Sequence, residues 1–181
     1  MSNNRNYSIV FLLITLIIIG TIVLFADRKT DRSFQQYVVS IDTTKIQQIN
    51  IIKPKNDTLV NLIKNDNQWS VKVESGLMAA NEKKVSELIF QISEIEIIRQ
   101  ISNSENVWAQ YGVTDSTAIQ IVVKSKKTQL ANFYCGNTDF DTQTQQICCY
   151  VRKLGDNRTY KVNGYLSLAL SGNFDAWIKK Y

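Results

Sequence analysis

An uncharged apolar segment near the amino terminus most constrains how this chain can fold. From Ser8 to Ala26 the sequence reads SIVFLLITLIIIGTIVLFA and contains no charged residue. A helix needs ~20 apolar residues to cross a hydrocarbon core of ~30 Å, because each residue adds about 1.5 Å. We therefore expect a transmembrane helix over residues 8–26, after a short tail of residues 1–7. Positions spaced along this predicted helix are Ile9, Leu13, Leu16, Gly20 and Leu24.

A cleaved signal peptide is the alternative to this uncleaved anchor. The apolar region of a signal peptide usually has ~7–15 residues, followed by a cleavage site with small residues at two positions. Here the apolar run is longer, and Leu24 stands where a small residue is wanted. No cysteine directly follows the run, so a lipoprotein anchor has no attachment point. The sequence therefore favours an uncleaved anchor.

The charges that flank the apolar segment leave its orientation open. Arg5 precedes the segment, whereas Arg28, Lys29 and Arg32 follow it. A count of Lys and Arg alone places the following domain on the cytoplasmic side, but long domains are translocated despite their charges. We interpret residues 27–36 as a polar juxtamembrane linker, and residues 37–181 as the folded module.

The first part of the module has the pattern of an antiparallel meander. Short runs rich in β-branched residues alternate with polar turns, as is typical of strands. The turn Asn65-Asp66-Asn67 supplies side chains that hydrogen-bond to their own backbone. The predicted strands lie within residues 45–53, 58–64 and 68–73.

The apolar period then changes to that of a helix. Asn81 is suited to cap a helix whose apolar residues recur at spacings of three and four. Those residues are Val85, Leu88, Ile89, Ile92 and Ile95. Residues 96–101 could extend the helix or form a strand, and their β-branched content favours a strand.

A second meander and a carboxyl-terminal helical pattern complete the module. Strands are predicted at Ala118–Lys124, Gln129–Cys135, Gln145–Lys153 and Arg158–Val162. Leu166, Leu170, Phe174 and Trp177 then follow at helix-like offsets. The expected class is α+β: an N-terminal transmembrane helix followed by antiparallel β meanders packed with one or two helices.

The chemical inventory indicates no catalytic, cofactor-binding or metal site. The chain of 181 residues contains no histidine, which excludes Ser-His-Asp and Cys-His nucleophiles and histidine-ligated zinc. The net charge of +5 is mild, and its basic residues are scattered rather than gathered in a patch of the kind that binds nucleic acid. Asn137-x-Asp139-x-Asp141 resembles the start of a calcium loop, but later required positions hold Thr142 and Cys148. We interpret that segment as a hairpin loop.

The cysteines are Cys135, Cys148 and Cys149. Cys135 and Cys148 would face each other across a hairpin whose loop centres near Asp141, which would allow a disulfide. Cys148 and Cys149 are adjacent and point to opposite faces of a strand, so at most one of them joins such a bridge. Buried structural thiols, one disulfide and a reactive thiol remain as alternatives, in that order of preference.

Several longer phrases resemble a known family. They are V-S-I-D-T-T-K-I-x-x-I-x-I (39–51), L-x-x-L-I-K-x-D-N-Q-W-S-V (59–71), A-A-N-E (79–82), Q-Y-G-V-T-D (110–115), C-G-N-T (135–138) and C-Y-V-R-K-x-G-D-x-x-x-Y-x-V-x-G-Y-L (149–166). With these phrases, residues 34–181 resemble the domain of unknown function 4340 family of bacterial envelope proteins, and the last phrase and the W-I-K-K ending are similar to members from the Bacteroidetes.

The resemblance implies a location and partners rather than a reaction. Members of the family are typically single-pass proteins whose domain lies on the outer side of the cytoplasmic membrane. They are often associated with ABC-type transport systems, including systems linked to gliding motility. Many are about twice as long, with a second related half. The resemblance supplies no catalytic residues.

These observations together predict a non-catalytic accessory or scaffold subunit of an envelope complex. It would sit in the bacterial inner membrane with its module in the periplasm. Its partners would be the lipid bilayer and membrane proteins such as ABC transporter subunits, with no cofactor, nucleic acid or small-molecule substrate. One alternative is a periplasmic ligand- or glycan-binding module. Another is a hydrolase or isomerase that uses acids alone, which requires two carboxylates about 5–10 Å apart in a cleft.

Overall fold

The structure, a computed structural model, describes Thr15, residues 36–56 and residues 58–180. The predicted membrane span 8–26 therefore lies outside the described residues, apart from Thr15, which is helical. Within the described part of the chain, no helix is both long and apolar enough to span a bilayer. The described residues from Gln36 onward form one compact unit.

The described residues build one antiparallel sheet of ten strands. The strands are β1 (Tyr37–Ser40), β2 (Gln48–Lys53), β3 (Thr58–Asn65), β4 (Gln68–Val73), β5 (Gly76–Ala79), β6 (Glu94–Ser102), β7 (Ile119–Lys124), β8 (Gln129–Asp141), β9 (Gln146–Lys153) and β10 (Thr159–Asn163). Their order across the sheet is β1-β6-β10-β9-β8-β7-β2-β3-β4-β5. Strand β7 pairs with β2 and so joins the two meanders, while β1 and β5 lie at opposite ends.

Three helices lie among the described residues after Gln36: α1 (Glu82–Ser93), α2 (Trp108–Tyr111) and α3 (Tyr165–Ala169). Short 3-10 turns occupy Thr43–Lys45, Pro54–Asn56, Glu105–Val107 and Phe174–Trp177. At the start of α1, the Asn81 side chain accepts a hydrogen bond from the Lys84 backbone N–H at 3.3 Å, which satisfies one of the free amides of the first turn. The helix ends at Ser93, because the backbone of the next residue, Glu94, is extended.

The core lies between one face of the sheet and α1. Val85, Leu88 and Ile92 of the helix are completely buried there, and Trp177 from the carboxyl-terminal turn joins them. The sheet contributes fully buried residues from its central strands, including Ile51 of β2. Full burial of each aliphatic or aromatic side chain contributes about 1.5–3 kcal/mol. The core therefore holds both meanders and α1 together.

The opposite face of the central strands carries amide side chains. Gln48 donates from Nε2 to the Oδ1 atoms of Asn50 and Asn61, at 2.9 and 3.1 Å. Gln120 donates to Asn132 at 3.0 Å. These cross-strand bonds give strands β3, β2, β7 and β8 a polar outer surface, so the sheet there has one core face and one polar face.

The predicted class is confirmed in its coarser form, a mostly antiparallel sheet with a few helices. Both predicted meanders form, and residues 96–101 belong to strand β6 as favoured. The carboxyl-terminal helical pattern breaks into α3 and a 3-10 turn, since Gly172, with a φ of 93°, lies between them. The predicted hairpin loop at residues 137–141 is wrong, because those residues extend β8 and the turn follows at residues 142–145.

Candidate functional site

A loop is docked on the non-core side of β8 and β9, and we call residues 105–118 the pinned loop. Its anchor is Arg152 of β9, whose side chain is 3% exposed. The guanidinium lies 3.8 Å from the ring centroid of Trp108, a loop residue, and 4.2 Å from that of Tyr134, its cross-strand neighbour. Arg152 Nε donates to the carbonyl of Val113 at 2.9 Å, and Nη2 donates to the carboxylate of Asp115. One buried cation thus holds the loop by stacking, hydrogen bonding and ion pairing at once.

Two glycines let the pinned loop approach the sheet closely. A Cβ at Gly136 would lie 2.3 Å from the Tyr111 carbonyl oxygen. A Cβ at Gly112 would lie 2.3 Å from the side-chain oxygen of Asn137, whose Nδ2 donates to the Gln110 carbonyl at 3.2 Å. Three of the phrases that carry the family resemblance, at 110–115, 135–138 and 149–153, therefore meet in space. Their residues hold the loop against the sheet.

A second polar cluster lies along the same face. Tyr150 donates from its hydroxyl to Asp139 at 3.1 Å, and its ring packs against that of Tyr111 with centroids 4.5 Å apart and the ring planes tilted by 47°. Burial, together with the neighbouring Asp139 carboxylate, raises the pKa of Tyr150 to about 12. The ammonium of Lys161 pairs with Asp141 and, with two backbone N–H donors, lowers the pKa of Asp141 to about 2.

The acids of the calcium-like pattern are thus engaged with protein groups. Asp139 accepts hydrogen bonds from the Tyr150 hydroxyl and from the Phe140 backbone, and Asp141 pairs with Lys161. Within the described ranges, no group of three or more His, Cys, Asp or Glu side chains is placed to hold a metal ion. These contacts stabilise the end of β8 and the turn at residues 142–145.

The structure does not bring Cys135 and Cys148 together. Cys135 lies in the core opposite Val151, whereas Cys148 lies opposite Asp139 on the other face and donates to its carbonyl at 3.4 Å. The irregular pairing between Cys135 and Thr138 shifts the register, which moves Cys148 away from the position expected for a simple hairpin. Contact with the Cys149 thiol, together with complete burial, raises the pKa of Cys135. All three cysteines are free, buried thiols.

The open edge, our name for strand β5, contrasts with these packed regions. All four of its residues are exposed, and Leu77 and Met78 leave 52% and 42% of their surface in solvent. In the β4–β5 register Met78 lies opposite Val71, and the Ala80 N–H donates to the Trp69 carbonyl at 2.9 Å. Hydrogen-bonding direction alternates along an antiparallel strand, so the N–H and C=O of Leu77 and Ala79 point away from β4.

The carboxyl-terminal segment already uses part of this edge. Ile178 bridges Ala80, and the Lys179 N–H donates to the Ala79 carbonyl at 2.9 Å. The Asn81 N–H donates to the Trp177 carbonyl at 2.8 Å. Among the described strands none lies beyond β5, so the outward backbone groups of Leu77 face no strand of the described sheet. The edge thus accepts an extended antiparallel segment at one end, and at its other end no described strand pairs with it.

Sequence reasoning missed both of these regions. No residue of β5 or of the pinned loop was predicted to bind anything, because Gly76–Ala79 is too short for a reliable strand pattern. The turn residues Glu74 and Ser75 directly after an alternating strand are the signal that could have indicated a further hairpin. The stacking of Arg152 depends on cross-strand register, which the sequence leaves undetermined.

The fold and these regions define a class of protein: an antiparallel α+β domain with a pinned loop on one side and an open edge strand. A family model described as "Domain of unknown function (DUF4340)" matches residues 69–181, more than half of the chain. The chain therefore belongs to this family, and the resemblance is confirmed over those residues. No curated protein and no solved structure matches the chain in the corresponding searches.

Proposed function

We propose that this chain is a non-catalytic, single-pass accessory or scaffold subunit of an envelope complex in Bacteroidetes-type bacteria. In this proposal residues 8–26 anchor it in the inner membrane and the sheet domain faces the periplasm. Its partner would be a membrane protein assembly associated with an ABC-type transport system, of the kind that includes systems linked to gliding motility. The uncharged apolar run, long enough to cross a bilayer, and membership of the family support the proposal.

The open edge is the observation that carries the scaffold function. An exposed edge strand with outward N–H and C=O groups is a template for an added strand from another chain. Natural sheets usually protect such edges with charged residues, proline or a covering segment. Here Leu77 and Met78 are exposed and apolar instead. Strand addition would give affinity through the backbone bonds of Leu77, with added burial of these two side chains.

The carboxyl-terminal segment provides an internal example of this pairing. Its backbone bonds to Ala79 and Asn81 show that an extended segment fits beside β5 in the antiparallel sense. A partner strand would continue that arrangement at Leu77. The chain's own geometry thus supports edge pairing as the way in which a partner is held.

The test compares proline at two adjacent positions of β5, so that loss of partner pairing can be distinguished from loss of folding. Leu77→Pro removes an N–H that points away from β4, and proline is tolerated at such edge positions. Met78→Pro removes an N–H that pairs with Val71 and should destabilise the domain, since it removes a hydrogen bond of the β4–β5 ladder. Leu77→Thr keeps the backbone donor and is the matched control. Each variant of the full chain is expressed with an affinity tag, extracted in mild detergent and purified with its partners.

We expect the wild type and Leu77→Thr to recover a stoichiometric membrane partner, and Leu77→Pro to lose it while remaining folded by circular dichroism. A photo-reactive residue at position 77 should crosslink to the same partner. Recovery of the wild-type protein alone, or unchanged recovery with Leu77→Pro, would contradict the edge-pairing scaffold.

The alternative of a ligand- or glycan-binding module has less support. Such modules stack sugar or ligand rings on exposed aromatic faces. The rings of Trp108 and Tyr134 contact the guanidinium of Arg152, and those of Tyr111 and Tyr150 pack against each other at a tilt. These aromatic side chains are therefore committed to holding the pinned loop.

A further inference from the structure

A groove lined by lysines begins where the open edge ends. Ala80 and Asn81 form its start, the first turn of α1 forms one wall, and the carboxyl-terminal segment forms the other. Its volume is about 780 Å³. Its basic residues are Lys83, Lys84, Lys179 and Lys180, which we call the groove lysines.

The groove lysines give the groove an excess of positive charge. None of the four forms an ion pair with any residue in the described ranges. Lys84 lies 4.7 Å from the centroid of the Trp177 ring, an interaction that retains its positive charge. The groove also contains two carboxylates, Glu82, which accepts a hydrogen bond from the Trp69 backbone N–H at 3.0 Å, and Glu87, so its lysines exceed its acids by two. The positive end of the α1 dipole adds to the same potential.

The positive charge of the groove lysines lies at the Ala79 end of the open edge. The Lys179 N–H bonds to Ala79, so the side chains of Lys179 and Lys180 stand next to the point where a strand paired at Leu77 would end. Both side chains are exposed. A bound segment therefore meets apolar side chains along β5 and positive charge at one end.

We infer that the partner segment is acidic: an extended peptide that pairs with β5 at Leu77 and places carboxylates beside the groove lysines. This inference rests on the proposed edge-pairing function and adds the partner's chemistry. Charge complementarity would speed association and set the position of the segment along the edge. An anionic lipid headgroup would meet the same lysines, but it offers no row of backbone donors and acceptors for the open edge. The combination of the two features favours a peptide.

The experiment uses the full chain in a zwitterionic detergent and measures fluorescence anisotropy of labelled synthetic peptides. The probe is a peptide of about eight residues, a common strand length, in which valine and glutamate alternate. The comparison peptide replaces every glutamate with lysine. The test variant is Lys179→Glu with Lys180→Glu. The matched control is Lys126→Glu with Lys127→Glu, an adjacent exposed pair in the β7–β8 turn.

We expect the acidic peptide to bind the wild type and the basic peptide not to bind. The groove variant should bind the acidic peptide about tenfold more weakly, with a smaller dependence on salt, since each exposed pair contributes a few-fold and reversal adds repulsion. The turn variant should bind like the wild type, and Leu77→Pro should not bind. Unchanged thermal unfolding of the groove variant would show that its fold is intact.

The outcomes that overturn the inference differ from those that overturn the scaffold function. Equal binding of both peptides, lost in Leu77→Pro, would overturn the acidic partner and leave edge pairing in place. Binding of the acidic peptide that survives Leu77→Pro would overturn both. Displacement of the peptide by phosphatidylglycerol added to the detergent micelles, but not by phosphatidylcholine added in the same way, would assign the groove lysines to lipid and overturn the acidic peptide.

Discussion

The pinned loop, which packs on the sheet, and the open edge, which is a strand of it, differ in how far their polar groups are paired and their apolar side chains are buried. At the pinned loop, Arg152 of β9 donates to the Val113 carbonyl and to the Asp115 carboxylate. The rings of Trp108 and Tyr134 pack on its guanidinium, and the Arg152 side chain is buried. On the open edge, the outward groups of Leu77 and two apolar side chains are left to solvent. Three of the six phrases that resemble the family gather at the pinned loop, and a fourth, A-A-N-E (79–82), begins at the last residue of the open edge. The phrases at the pinned loop therefore mark how the domain is held together, whereas Leu77 and Met78 lie between two phrases.

The largest effect should follow from removing the anchor of the pinned loop. Arg152→Ala should lower the free energy of unfolding by about 3 kcal/mol, because it leaves the carbonyl of buried Val113 without its donor and removes the packing of the guanidinium on Trp108 and Tyr134. Arg152→Lys should recover little of this loss, since an ammonium cannot stack between Trp108 and Tyr134 as a planar guanidinium does. Urea unfolding of the full chain in non-ionic detergent, followed by tryptophan fluorescence, measures both.

Lys153→Ala is the control for this prediction, since Lys153 is the exposed neighbour of Arg152 on the same strand. We expect its unfolding free energy to change by less than about 0.5 kcal/mol. If Arg152→Ala and Lys153→Ala cost the same, the contrast between the pinned loop and the open edge would lose its basis.

A smaller but still large effect should follow from a single methyl group at Gly136. The new Cβ would lie 2.3 Å from the backbone oxygen of Tyr111, and backbone cannot move as a flexible side chain can. We expect Gly136→Ala to cost about 2 kcal/mol, as overpacking does. Gly155→Ala is the comparison, with open space around its Cβ but a φ of 75°, and should cost about 1 kcal/mol. The same urea titration ranks the two, and a harmless Gly136→Ala would mean that the loop is not closely docked.

The turn beside the pinned loop should respond to acid. The usual carboxyl pKa of 3.8 falls to about 2 at Asp141, chiefly through its hydrogen bond with Lys161. Since this pKa is depressed in the folded state, ionised Asp141 stabilises the fold above about pH 4, and the contribution is lost as the pH falls toward 2. Lys161→Met should therefore be less stable than the wild type at neutral pH, with a difference that shrinks toward pH 2. Urea titrations across this range check it, and a difference independent of pH would assign the effect to packing.

The smallest effect on stability is expected at the open edge. Leu77→Thr should change the free energy of unfolding by less than about 0.5 kcal/mol, because the side chain is half exposed and its backbone groups point outward. Amide hydrogen exchange sharpens the point: the Leu77 amide should exchange rapidly, while the neighbouring Met78 amide, paired with Val71, should be protected. Equal protection of the two amides would mean that the edge is already covered.

Much of the fold follows from local pattern. The apolar stripe of α1 and its Asn81 cap predicted the helix to within a residue or two, and the alternation in β2–β4 and β7–β10 predicted those strands. Pairing between distant strands could not be predicted, since β2 with β7 and β1 with β6 depend on the packing of the whole core. The same holds for Arg152 of β9, whose neighbours come from the pinned loop and from β8. Local periodicity reports which face of an element is apolar and says little about which element lies beside it.

Because the three native cysteines are buried, a single engineered cysteine can be used to probe membrane topology by thiol labelling. Each native thiol is no more than 1% exposed, so bulky water-soluble maleimides should react with the folded protein very slowly. One new cysteine at an exposed turn, such as Lys126→Cys, would then be labelled against a low background without replacing any native residue. Under the proposed anchoring by residues 8–26, labelling in intact cells, or only after permeabilisation, would report the side of the membrane on which the sheet domain lies.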